Sequence, residues 1–167
     1  MRGKQYIVIL TLSCFFLCSC GTQKLVLNTP AMNTRAFECI QITGDNSCIV
    51  SVQETGSDVQ NATQKSIRNA VFEILFNGIP GSNTNRIPDQ KALVSDQSIR
   101  TTKKEYFDSF FSDNKYLSFA ELLHGTVPAV VKTASGYRVT VSVLVKKEAL
   151  RKRLEEDEII LSLSNAL

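Results

Sequence analysis

Apolar and polar residues change their spacing several times along the chain, and each change marks an element. Residues 6–17 form a dense apolar run without a charge, set just behind Arg2 and Lys4. From 37 onward the pattern becomes β-like. Residues 37–42 and 48–53 are rich in Ile, Val, Phe and Cys and are separated by the turn formers Thr43-Gly44-Asp45-Asn46-Ser47, which predicts a hairpin. Ala62, Ile67, Ala70, Val71, Ile74 and Leu75 then recur at helical spacing. With Asp58 as a candidate N-cap and Gly78 just past the last periodic residue, one long helix is expected over 59–77. Phe72 and Phe76 widen its apolar stripe, so neighbours are expected on more than one side.

Residues 78–100 read differently. They are polar, carry Pro80-Gly81, Asn83, Asn85 and Pro88, and predict a long connection without an element of its own, which leaves a functional loop and a plain one both open. Tyr106, Phe107, Phe110 and Phe111 share one face of a short helix within 102–112, a face that reads as core, with an exposed interface as the alternative. Extended segments follow at 116–124, 128–133 and 137–145. In the last of these Val139, Val141, Val143 and Val145 line one face against Arg138, Thr140, Ser142 and Leu144. Ala134-Ser135-Gly136 fits a turn, so 128–133 is expected to pair antiparallel with that strand.

A charged helix closes the body over 146–158, with Ala149, Leu150 and Leu154 as its inner stripe. Its basic residues come first and its acidic ones last, against the helix macrodipole, and the pairs expected are Arg151–Glu155 and Lys152–Glu156 on a face that reads as solvated, with a partner-docking face as the alternative. Taken together, these elements predict a single α+β domain over 36–167 in which an antiparallel sheet packs against a long amphipathic helix.

The amino-terminal pattern speaks to location. A basic start, an apolar run of about 12 residues and a small-residue site make up a secretory signal, and the run is too short to span a bilayer, which takes roughly 20 residues. Leu17-Cys18-Ser19-Cys20 resembles the lipobox of bacterial lipoproteins. That resemblance implies cleavage between Ser19 and Cys20, a diacylglycerol thioether on the Cys20 sulfur and acylation of the new amino group. It therefore implies anchorage to a lipid bilayer on the extracytoplasmic side. A conventional secretory cleavage site is the rival reading. Gly21, in place of the aspartate that retains many such lipoproteins at the inner membrane, implies the outer membrane, facing the periplasm, where the source has two. Residues 20–35, mostly polar apart from Leu25-Val26-Leu27, read as the tether between anchor and body.

Charge then loses its apparent meaning. The full chain has 19 basic and 16 acidic residues, but Arg2 and Lys4 leave with the signal, so the remainder is near neutral. A nucleic-acid partner would need a basic face with many phosphate contacts and is not expected. Besides Cys20, the mature chain keeps only Cys39 and Cys48, in a compartment that permits disulfides. Whether these two bridge depends on register. If Ile40 and Ile42 share a face with Val50 and Val52, Cys48 joins that face while Cys39 points away. A disulfide and two small buried hydrophobes both remain open.

Candidate chemistry is sparse. His124 is the single histidine and stands beside Gly125 with no serine elbow, so no catalytic residue is assigned. Two cysteines and one histidine make no metal set, residues 78–82 lack the Lys-Ser/Thr end of a phosphate loop, and no cofactor is expected. Glu105, Asp108 and Asp113 read as helix-surface charge rather than an acid–base pair.

The stretch 48–78, a strand reading CIVSVQETG before a helix reading NATQKSIRNAVFEILFNG, is similar to the start of small envelope lipoprotein domains. These are domains of the lipoprotein-20 type and the amino-terminal domain of flagellar assembly protein T. The likeness implies an α+β module used in envelope assembly or protein contact, and it carries no functional residue over. The expected function is a non-catalytic interaction or structural module with an envelope protein partner. Small-ligand binding is the next reading and hydrolysis the third.

Overall fold

The structure is a computed structural model and describes residues 36–161. Ser19, Cys20, the signal and the tether over 20–35 lie outside the described residues.

The body is a single α+β domain built on an open antiparallel sheet of five strands. Strands β1 (Phe37–Ile42) and β2 (Cys48–Gly56) form the expected hairpin, and helix α1 (Val59–Phe76) follows directly. Asp58 caps that helix, its carboxylate accepting from the Asn61 amide at 2.8 Å. Helices α2 (Gln97–Thr102) and α3 (Lys104–Ser112) come next, then a 3₁₀ turn at Lys115–Ser118. Strands β3 (Ala120–Leu122), β4 (Ala129–Thr133) and β5 (Gly136–Val145) and helix α4 (Lys147–Glu156) complete the chain.

β5 is the centre of the sheet. On one side it pairs with β2, placing Val145, Val143 and Val141 opposite Cys48, Val50 and Val52, all buried against α1. The opposite face carries Ser51, Ser142, Gln53 and Thr140, half-buried and polar, and only toward one end the apolar pair Ile49 and Leu144, of which Ile49 is buried. α1 meets the sheet through a line of small residues, Ala62, Ser66 and Ala70, one turn apart and each fully buried. The Ser66 hydroxyl satisfies itself by donating to the Ala62 carbonyl at 2.9 Å.

The other edge of β5 is shared end to end. β3 pairs with its final residues and β4 with its first, as expected for 128–133, so together they act as one broken edge strand. Between them residues 123–128 stand opposite only Val141 and Ser142 and loop outward, leaving Val127 89% exposed. The expectation of continuous extended chain over 116–124 is therefore corrected. Asn114, in the left-handed region at φ 58°, ends α3, and the 3₁₀ turn then buries Tyr116 before three residues of strand form.

The connection over 78–100 also departs from expectation, because the end of α1 needs it. The last carbonyls of a helix have no partner within it. Here Glu73 accepts from the amides of Asn77 and Gly78, Ile74 from Leu93 and Leu75 from Val94. Phe76 accepts from the Gln97 side chain at 3.0 Å. The same segment covers the outer edge of β1, where the Cys39 amide donates to the Pro80 carbonyl at 2.8 Å and the Asn85 side chain to the Ile40 carbonyl at 3.0 Å. Ile79, Leu93 and Val94 are buried. It is a cap and an edge cover, with a further short helix, α2, at its end, and the helix expected within 102–112 forms as α3, set off from α2 at Lys103 (φ −105°, ψ 28°).

The terminal helix is shorter than 146–158, and only part of its expected stripe turns inward. Leu150 and Leu154 are buried, whereas Ala149 is exposed. Arg151 pairs with Glu148 at 3.9 Å rather than with Glu155, while the Lys152–Glu156 pair forms at 3.9 Å.

Candidate functional site

Register decides the fate of the two cysteines. Cys39 lies opposite Val50 and Ile42 opposite Cys48, but Ile40 is an extra residue between Cys39 and Gln41, a β-bulge. That insertion puts Cys39 on the face of Cys48, so the register in which it would point away is not the one formed. Both are buried, their Cα atoms are 6.4 Å apart, and their sulfurs meet as a disulfide across the hairpin.

His124 is exposed on the outward loop between β3 and β4. The carboxylates of α3 are likewise peripheral. Asp108 pairs with Lys104 one turn away. Asp113 accepts from the Ser109 hydroxyl at 2.9 Å and meets Lys115 at 3.3 Å, and these partners hold its carboxyl below the usual range. Glu105 is exposed on the same helix. The fold brings none of these together with His124. Among the described residues no set of three or more His, Cys, Asp or Glu is placed to hold a metal ion, and no helix is long and apolar enough to cross a membrane.

What the fold does assemble is an open groove of about 880 Å³ between α1 and the α2–α3 pair. Its floor is aromatic. Phe76 meets Phe107 edge-on with centroids 4.8 Å apart, and Phe72 meets Phe76 at 5.0 Å and Phe111 at 6.0 Å. Phe76 and Phe107 are buried, whereas Phe72 and Phe111 are half-buried and show part of their rings to the groove.

Its rim is cationic. The Arg100 guanidinium carbon lies 4.7 Å from the Phe72 centroid and 5.1 Å from that of Phe76, and the Arg68 guanidinium carbon lies 4.8 Å from Phe111. A guanidinium attracted to a ring in this way keeps N–H groups for an acceptor, and one of those of Arg68 donates to the Asn69 side-chain oxygen at 3.4 Å. Among the described residues neither arginine is within ion-pair distance of a carboxylate, whereas Lys104 is neutralised by Asp108.

These residues were legible in part. Arg68, Phe72 and Phe76 stand four apart on α1, and Arg100, Lys104, Phe107 and Phe111 follow helical spacing on the facing pair. The spacing marks each helix face. What it cannot mark is that the two faces meet, because that depends on the turn at 78–96.

No protein-family model matches this chain, and no curated protein or solved structure matches it significantly either.

Proposed function

We propose that this protein is a lipoprotein of the bacterial envelope, anchored to the bilayer through acylated Cys20, whose α+β body acts by binding another protein rather than by catalysis. The observation that carries the reading is Leu17-Cys18-Ser19-Cys20 directly behind an uncharged apolar run, which puts a thiol where lipobox processing needs one. A diacylglycerol and an N-acyl chain together make attachment effectively permanent, since each buried CH₂ contributes about 0.8 kcal/mol and one chain alone is marginal. A body held at a membrane surface gains effective concentration toward partners on that surface, and this favours binding as its contribution. Gly21 points to the outer membrane where the source has two.

The groove favours a second reading, a small ligand, because its volume lies within the range of about 300–1,000 Å³ typical of such sites. Crosslinking in intact cells separates the two, with the anchored chain compared against Cys20→Ala. The variant should lose lipid labelling and release, and the anchored form should yield reproducible protein adducts that the released form does not. Processing of Cys20→Ala at the same site with unchanged membrane association would sink the anchor. A co-purified small molecule in place of protein adducts would favour the ligand reading.

A further inference from the structure

We infer that the groove between α1 and α2–α3 is the partner-binding site and that it takes a carboxylate-bearing apolar segment of a protein, such as one face of an acidic amphipathic helix. The inference rests on the proposed binding role and specifies its surface and the partner's chemistry.

Charge complementarity carries it. The Arg68 and Arg100 guanidinium carbons each lie over a phenylalanine ring within 5 Å, which biases their side chains toward the groove before any ligand arrives, and among the described residues neither has a carboxylate partner. Two guanidinium groups without a carboxylate partner among the described residues, Arg68 donating only to the neighbouring Asn69 side-chain oxygen at 3.4 Å, are complementary to external carboxylates. Phe72 and Phe111, half-buried between them, supply apolar area for the segment that carries those carboxylates.

A bilayer surface fits this site poorly. Lipid phosphates lie in a plane, whereas the stacked arginines belong to a concave groove between two helical walls. A peptide segment can instead lie along the groove, with Arg68 and Arg100 for its acids, while Lys104 and Asp108 satisfy each other.

The test is a selection of displayed random peptides of about 16 residues against the full-length chain in neutral detergent. Enrichment of Asp and Glu beside Leu or Phe is expected. Arg68→Glu/Arg100→Glu should weaken the selected peptides about tenfold or more, the loss expected when charge-assisted hydrogen bonds are removed, and should itself enrich basic peptides. Replacing Glu by Gln in a selected peptide should weaken binding to the unaltered protein similarly, so the outcome does not depend on the variant folding. Selected peptides that carry no acidic bias, or that bind both proteins alike, overturn the inference. So does displacement by short-chain phosphatidylglycerol but not by short-chain phosphatidylcholine, which would make the groove a lipid site. Failure here together with protein adducts in cells would leave the binding role standing at another surface. Success here without adducts would retain the groove and reject the envelope role.

Discussion

The Tyr106 hydroxyl donates to the Asp157 carboxylate at 2.7 Å, a contact across 51 residues that fastens α3 to the end of α4. Arg153 donates to the same carboxylate oxygen at 2.8 Å, so one acidic group collects both. Burial is the main force raising the Tyr106 pKa well above the ordinary phenol value, with the bond to Asp157 adding to it. Native protein therefore holds this proton more tightly than unfolded chain does. The resulting stability is fully present below about pH 10 and is lost as pH climbs from there toward the native value. Tyr106→Phe should cost about 1 kcal/mol at neutral pH, reduced from a fully buried charged bond because the ring is partly exposed. It should also flatten the alkaline fall in urea-denaturation stability, and an unchanged alkaline limb would show that another group controls it.

Ile74 is fully buried on α1 beneath the sheet. Ile74→Asp should lower stability by several kcal/mol, because a carboxylate there has neither water nor a partner. Ile74→Val, which removes one methylene, should cost only about 0.5–1.5 kcal/mol. Equal thermal midpoints for the parent and the aspartate variant would place Ile74 outside the core.

Gly78 has φ +77°, and a Cβ built there would approach the Gln90 carbonyl oxygen to 2.5 Å. Gly78→Ala meets both a left-handed backbone and a backbone atom that cannot swing aside. A loss of about 1–3 kcal/mol is expected. Amide exchange should locate the damage at Leu93 and Val94, whose N–H groups cap α1. Undisturbed protection at those amides would argue that the cap does not depend on this turn.

The parts of the fold that were legible beforehand are those whose signal is local. Val139, Val141, Val143 and Val145 alternate along one strand, and Asp58 and Gly78 bracket α1, so both elements follow from near neighbours. Cys39 was harder because one extra residue, Ile40, reverses a face, and nothing in the local pattern of 37–42 announces a bulge. The segment 78–96 read as loose because its role is to satisfy carbonyls of a helix that ended earlier, a need visible only once the helix end is placed. The groove follows the same logic: its aromatic residues stood out on two separate helix faces, Arg68 and Arg100 did not, and only the packing of α2–α3 beside α1 turns them into one surface.

The disulfide links this body to the proposed address. Cys39 and Cys48 are nine residues apart, and closing so short a loop is expected to stabilise by about 2–3 kcal/mol through the unfolded chain. Bridges of this kind form and persist after export, in an oxidising compartment. The unaltered protein should therefore lose about that much urea-denaturation stability when dithiothreitol is added, whereas Cys39→Ala/Cys48→Ala should start lower and ignore the reductant. Thiol counting adds a second check, because on the proposed Cys20 thioether the processed chain should show no free sulfhydryl until it is reduced. Two thiols that react in denaturant without reductant, together with indifference to dithiothreitol, would mean that the hairpin is held by packing alone.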